Sequence, residues 1–231
     1  MTTHIHLIGG EKGGVGKSLM ARLLAQYMID RELPFLGFDT DRSHGALLRF
    51  YPAHASPIAI DRVESLDGII ESAVEEPGRR ILVDLAAQTH DSLAAWIDEA
   101  GVLGLAEELD LAFFYWHVMD TGRDSADLLR RLLDRFGTGL RYVLVRNQVR
   151  GNDFGALEQS GEQARAIGLG AQVISIRKLH ESAINRIDST SSTFWKATSS
   201  QSDSSGLGMM DRQRVRTWLR DTYREIDEVG V

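Results

Sequence analysis

A glycine-rich turn between a predicted strand and a predicted helix constrains the fold of this chain more than any other feature. The apolar run His4–Ile8 leads into GGEKGGVGKS, residues 9–18, and apolar residues then recur at three- and four-residue steps from Met20 to Met28. A strand that enters such a turn and leaves it as a helix is the context of a phosphate-binding loop. The backbone N–H groups of the glycines and the first turn of the helix would then face phosphate oxygens.

The rest of the chain alternates short apolar runs with helical segments. Strands are predicted at His4–Ile8, Pro34–Phe38, Arg80–Leu85, Leu109–Trp116, Arg141–Val145 and Gln172–Ile176. Further helices are predicted at Leu66–Val74, Leu93–Ala100, Ser125–Phe136, Phe154–Ile167 and Leu179–Ile187. This alternation predicts an α/β fold with a doubly wound, mostly parallel sheet and helices on both faces.

The length of 231 residues suits one α/β domain over residues 1–231 and is short for two. Residues 189–208 are rich in Ser, Thr and Gly, which predicts a surface loop. Phe194 and Trp195 in this loop are expected to anchor it on the protein, with a partner site as the alternative. An apolar stripe then predicts a final helix at about residues 209–228.

Composition narrows the classes of function. The formal net charge is -7, so any nucleic-acid binding needs a local basic patch. The chain has no cysteine, which excludes disulfides, thiolate zinc sites and cysteine-ligated iron–sulfur clusters. Neither a signal-peptide pattern nor an apolar run of roughly 18 residues is present, so we expect a soluble cytoplasmic protein without a membrane partner.

The end of the glycine-rich turn carries the chemistry of a nucleotide site. Lys17 would reach the β- and γ-phosphate oxygens, and the Ser18 hydroxyl would bind Mg²⁺. A glycine-rich turn without function is the alternative. The remaining residues of the predicted nucleotide site are Gly13, Gly14, Val15, Gly16 and Leu19.

The stretch of residues 12–18, KGGVGKS, resembles the deviant Walker A motif of the ParA/MinD family of ATPases, which are P-loop NTPases. The resemblance implies that Lys12 crosses a dimer interface and contacts the phosphates bound by the other subunit. A lysine supplied in this way adds positive charge to the phosphoryl-transfer transition state and makes hydrolysis depend on dimerisation. A solvated loop lysine is the alternative for Lys12.

Two later segments also resemble the family. The second predicted strand is followed by Asp39-Thr40-Asp41, similar to the family's D-x-D, and RRILVD ends at Asp84 like a Walker B strand. The resemblance implies that Asp41 positions or deprotonates the attacking water. It also implies that Asp39 and Asp84 support Mg²⁺. Capping of the next helix is the alternative for Asp39 and Asp41.

Asn147 ends a later predicted strand, where the family commonly has an asparagine that binds the adenine edge. The alternative is a turn-forming asparagine. The chain most resembles small ParA-type members, because it lacks both a helix-turn-helix domain before the first strand and the cysteines of cluster-holding relatives.

The final helix carries Arg212, Arg216 and Arg220 at steps of four residues, with Arg224 continuing the series. Successive arginines of this series are roughly 6 Å apart along the helix axis and form a basic ridge. The ridge could bind DNA phosphates non-specifically or remain a solvated face. If non-specific DNA is the surface on which the protein positions a cargo, here called the track, the protein would associate with the nucleoid.

The resemblance implies a homodimer formed in the ATP state that hydrolyses Mg-ATP slowly. Such a dimer would position or segregate a cargo, namely a plasmid, a conjugation complex or a large assembly, with a stimulating or cargo-adaptor protein as partner. Two alternatives are open at the level of sequence: an ATP-dependent ligase of the same fold, and a nucleotide-binding regulatory scaffold.

Overall fold

A computed structural model describes residues 2–10, 13–41, 45–199 and 206–231 of the chain. Seven strands lie in these ranges and form one sheet. The strands are β1 (Thr3–Gly9), β2 (Phe35–Asp39), β3 (Ala55–Pro57), β4 (Arg80–Asp84), β5 (Leu111–Met119), β6 (Arg141–Asn147) and β7 (Gln172–Ile176). Their order across the sheet is β3-β2-β4-β1-β5-β6-β7, and each neighbouring pair is parallel.

Helices connect the strands. They are α1 (Lys17–Asp30), α2 (Ala46–Phe50), α3 (Val63–Glu75), α4 (His90–Glu99), α5 (Val102–Glu108), α6 (Arg123–Phe136), α7 (Gly155–Ser160), α8 (Glu162–Gly168), α9 (Glu181–Ser189), α10 (Phe194–Thr198) and α11 (Met209–Val229). None of the described helices has the length and apolar character needed to cross a bilayer.

Two apolar cores lie on opposite faces of the sheet, because side chains alternate along each strand. Ile5 and Leu7 of β1 point into one core, with residues of α3 to α8. Ile8 points into the other core, with residues of α1, α2 and α9 to α11. The predicted α/β fold with helices on both faces is therefore confirmed, and every described strand pair is parallel.

Some predicted elements differ from the structure. The sequence pattern missed α2, α5 and β3, which have five, seven and three residues, because elements this short show little or no period. The predicted helix at 154–167 is two helices, which separate at Gly161 with a φ of +78°. Strand β5 begins at Leu111 rather than Leu109, since Leu109 still belongs to the end of α5.

The predicted loop at residues 189–208 contains the helix α10, and its residues 200–205 lie outside the described part of the chain. The Thr193 hydroxyl caps this helix by accepting a 3.2 Å hydrogen bond from the Lys196 amide. Phe194 is buried in the core beside Trp218, whereas Trp195 is 58% exposed. Of the two aromatic residues, Phe194 therefore anchors the segment.

Helix α11 covers the edge strand β7. The Glu225 carboxylate accepts a 2.8 Å hydrogen bond from the Ser175 amide, and the Trp218 indole donates a 2.7 Å hydrogen bond to the Arg177 carbonyl. These bonds satisfy backbone groups that an uncovered edge strand would present to other chains.

Candidate functional site

The glycine-rich turn lies at the carboxyl end of β1, one of the interior strands of the sheet. Open parallel sheets bind ligands at this end of their strands. Gly16 precedes α1 in the left-handed region, with a φ of +100°, and no side chain caps the first N–H groups of the helix. These N–H groups are consequently oriented for an anion.

Asn147, at the end of β6, holds the turn in place. Its amide nitrogen donates a 2.7 Å hydrogen bond to the Val15 carbonyl, and its amide oxygen accepts a 3.3 Å hydrogen bond from the Val149 amide. A Cβ on Gly16 would lie only 2.1 Å from the same amide nitrogen, so a glycine is required there. Asn147 is buried, and its hydrogen bond to Val15 ties β6 to the phosphate loop. Adenine binding by Asn147 stays a prediction.

A cavity of about 230 Å³ opens above the turn. Gly13, Gly14, Gly16, Lys17, Ser18, Leu19, Asp41 and Asp84 line it, together with residues 85–87. The structure thus brings together most residues that the sequence assigned to the nucleotide, the metal and catalysis, from three separate parts of the chain. Val15 is buried below the surface of the turn.

Asp84 ends β4, in register with Ile8 of β1 and with Asp39 of β2. It accepts a hydrogen bond from Ser18 and is only 3% exposed. Burial and, secondarily, the carboxylate of Asp39 raise the pKa of Asp84 to about 7. Among the described residues, its Oδ1 atom has no hydrogen-bond partner. A buried carboxylate oxygen of this kind favours a cation, which would also return the pKa to its ordinary range.

Asp39 binds backbone amides of the segment that follows β2. Its Oδ1 accepts a 3.0 Å hydrogen bond from the Asp41 amide, and its Oδ2 accepts one of 3.0 Å from the Leu48 amide in α2. Burial raises the pKa of Asp39, and these backbone hydrogen bonds oppose the rise. In this structure Asp39 therefore binds backbone amides at Asp41 and at the start of α2, and it borders Asp84 without lining the cavity. Its support of a metal ion stays a prediction.

Thr40 is a site residue that the sequence analysis missed. Its hydroxyl donates to the Asp84 carbonyl at 3.1 Å and accepts from the Ala86 amide at 2.7 Å. The loop that carries Asp41 is thereby fastened to the end of β4. A threonine between two aspartates gave no sequence signal beyond its position in D-x-D.

Lys12 lies outside the described residues, as do residues 42–44 directly after Asp41. Asp41 itself is half-buried and faces the cavity.

The predicted arginine ridge lies on α11. Arg212 donates to the Leu207 carbonyl at 2.9 Å, and Arg216 donates to the Thr198 carbonyl at 3.0 Å. Arg220 pairs with Asp221 at 3.2 Å. Two of these partners are backbone carbonyls of the preceding segment, which a pattern of side chains along a helix does not indicate. Arg216 and Arg220 remain exposed, whereas Arg212 is half-buried.

Comparison with known proteins places the chain in a family. The model of the CobQ/CobB/MinD/ParA nucleotide binding domain matches residues 7–193. Protein MobD of Acidithiobacillus ferrooxidans is 28% identical over 149 residues, and the match covers 64% of this chain and 64% of MobD, less than two thirds of either. Protein TraL of Escherichia coli is 24% identical over 246 residues, with 98% of both chains covered.

Solved structures of the signal recognition particle receptor FtsY from Elizabethkingia anophelis share the fold. The receptor in complex with GDP has a TM-score of 0.52 at 14% identity, and another structure of it has 0.51 at 15%. The alignments cover 78% of this chain and 58% and 59% of the receptor chains. The family match includes the phosphate loop at the end of β1 and the strand that ends at Asp84. The chain belongs to the CobQ/CobB/MinD/ParA nucleotide binding domain family.

Proposed function

We propose that this chain is a Mg-ATP-dependent, dimerising ATPase that positions or segregates a cargo such as a plasmid, a conjugation complex or a large assembly. One observation carries the proposal: Lys17, Ser18, Asp41 and Asp84 line a single cavity at the phosphate loop. A phosphate cradle, a metal ligand and a carboxylate base are the parts that phosphoryl transfer from a nucleotide to water requires.

The phosphate loop would bind the β- and γ-phosphates. Lys17 supplies a positive charge, and the loop and first-turn N–H groups supply hydrogen bonds. Lys17 is mostly buried, so its charge acts in an environment of low dielectric constant, where it interacts strongly with an anion. Loss of this charge should remove most of the affinity for nucleotide.

Ser18 and Asp84 fit a magnesium site. Their side chains already contact each other, and Asp84 Oδ1 needs a cation or a donor. No group of three or more His, Cys, Asp or Glu residues in the described ranges could enclose a metal, so the other ligands would be phosphate oxygens and water. When bound, Mg²⁺ would neutralise charge on the phosphates. Asp39 would support the ion indirectly, by holding the loop after β2.

Asp41 is the proposed base or water-positioning residue. Its backbone is fixed by Asp39 and its neighbour Thr40 is fastened to β4, so its side chain is held at the cavity. A carboxylate can accept hydrogen bonds from water and can take a proton from it. Lys12 is the proposed cation in trans, which would link hydrolysis to the dimer.

Non-specific DNA is the proposed track, with a stimulating or adaptor protein as a further partner. Exposed Arg216 and Arg220 are one helical turn apart on α11, and Arg31, Arg216, Arg220 and Arg224 line a second cavity, of about 440 Å³. Asp30 and Asp227 line the same cavity and lower its net charge. DNA binding would therefore be weak and sensitive to salt.

The experiment that tests the proposed reaction measures ATP turnover in Asp41→Ala and Asp41→Asn. Both variants should bind ATP like the parent. Asp41→Ala should hydrolyse it more slowly by on the order of 10²-fold or more if Asp41 is the base. Asp41→Asn keeps the shape and can still hydrogen-bond water, so partial activity would indicate positioning rather than proton transfer. Turnover by Asp41→Ala equal to that of the parent would remove Asp41 from the mechanism.

A further inference from the structure

Arg150 lies directly beside the phosphate loop, although it follows β6 in the sequence. Its Nη2 atom is 3.1 Å from the point where a Cβ on Gly14 would stand. Gly14 has no side chain and a φ of +80°, so the loop backbone and the guanidinium can approach each other closely. The Arg150 side chain is 51% exposed, which leaves it accessible to a ligand on the loop.

Asp120 holds this guanidinium in place. Directly after β5, the Asp120 carboxylate is only 3% exposed, and its Oδ2 accepts a 3.0 Å hydrogen bond from Nη1 of Arg150. The other oxygen, Oδ1, accepts hydrogen bonds from the Gly122 amide at 2.9 Å and the Ser125 hydroxyl at 3.3 Å. Because the carboxylate is fixed on both sides, the arginine bonded to it is oriented before any ligand binds.

We propose that Arg150 binds phosphate oxygens of the nucleotide on the phosphate loop of its own chain. Arginine presents five N–H donors, and the bond from Nη1 to Asp120 leaves donors directed elsewhere. A planar guanidinium is well suited to phosphate, which it can bind through two hydrogen bonds at once. The ion pair with Arg150 would also offset the repulsion between the buried carboxylate of Asp120 and phosphates on the loop. The inference rests on the proposed binding of nucleotide at this loop.

The test compares the affinities of Arg150→Ala and Arg150→Lys for ADP, ATP and inorganic pyrophosphate, measured by isothermal titration calorimetry. Arg150→Ala should weaken the binding of all of them by about tenfold or more, as expected for loss of a charge-assisted hydrogen bond. Arg150→Lys should lose less, because it retains the charge but not the planar donor pair. The matched control is Arg135→Ala in the last turn of α6, where Arg135 pairs with Asp98 at 2.7 Å. This control should bind like the parent.

Pyrophosphate distinguishes contacts with phosphate from contacts with the base or the ribose, because it has neither base nor ribose. Equal pyrophosphate affinity in Arg150→Ala and the parent would overturn the inference. This holds even if Arg150→Ala binds ADP and ATP more weakly than the parent does. If Arg150→Ala lowers the Tm, Arg150→Gln replaces it, because Gln keeps a polar side chain beside Asp120. Loss of ATP binding in Lys17→Ala but not in Arg150→Ala would reject this inference alone. A parent protein that binds no nucleotide would reject the proposed function as well.

Discussion

The side-chain amide of Asn147 donates a 2.7 Å hydrogen bond to the backbone carbonyl of Val15, and so connects the end of β6 to the phosphate loop. Both groups are buried, so the carbonyl would lose its partner if the amide were removed. We predict that Asn147→Ala lowers the free energy of unfolding by about 1–3 kcal/mol. Chemical denaturation measures this, with the exposed Asn152→Ala in the following loop as the control.

The same variant distinguishes two possible roles of Asn147 in nucleotide binding. If it acts by holding the loop, Asn147→Ala should weaken the binding of ADP and pyrophosphate alike. If it binds adenine, as the family resemblance implies, the loss should be confined to ADP. An Asn147→Ala protein as stable as the parent would contradict the structural role assigned to this hydrogen bond.

Lys12→Ala should affect the dimer more than nucleotide binding. Lys17 and the loop amides would still bind ATP, whereas facing phosphate groups repel each other unless cations lie between them. Light scattering with ATP, on an Asp41→Ala background that prevents hydrolysis from dissolving the dimer, should show a monomer for the double variant. Lys178→Ala, which removes an exposed lysine paired with Glu181 at 2.7 Å, is the control and should dimerise. A Lys12→Ala double variant that dimerises like Asp41→Ala alone would make Lys12 a local loop residue.

Replacing Arg212, Arg216 and Arg220 with Glu should remove ATP-dependent DNA binding and leave basal ATPase activity intact, because α11 does not line the cavity at the phosphate loop. The parent's affinity should fall steeply with salt if several phosphates are neutralised. Gel-shift titration over a range of salt concentrations measures the loss of DNA binding in the variant and the salt dependence of the parent's affinity.

The matched control for the ridge replaces Arg130, Arg131 and Arg135 on α6 with Glu. It changes the net charge by the same amount on another helix whose arginines interleave with aspartates. Equal loss of DNA binding in both triple variants would mean that net charge, and not the ridge, decides binding. A parent that is not retained on DNA with ATP at low salt would remove DNA as the track.

The fold and the central part of the site were accessible from sequence because they rest on local patterns. The strand–turn–helix unit around Lys17, and carboxylates at the ends of predicted strands or directly after them, place Asp39, Asp41 and Asp84 at one edge of a parallel sheet. The sequence could not show that both oxygens of Asp39 bind backbone amides, because this depends on the short helix α2, which has no period. Asp120 directly follows β5 in the structure, but the predicted strand ended at Trp116, so the same rule did not single it out. Its pairing with Arg150 depends on the path of a loop.

Binding of Mg-ATP by Lys17→Ala tests the central claim most directly. The structure places Lys17, mostly buried, among the glycines of a loop at the carboxyl end of β1, so its charge should decide phosphate affinity. Isothermal titration calorimetry with Mg-ATP should show binding for the parent and for Asp41→Ala, and none for Lys17→Ala. Circular dichroism should show that all three proteins are folded. Mg-ATP binding by Lys17→Ala as tight as that of the parent would contradict the assignment of this loop as the nucleotide site.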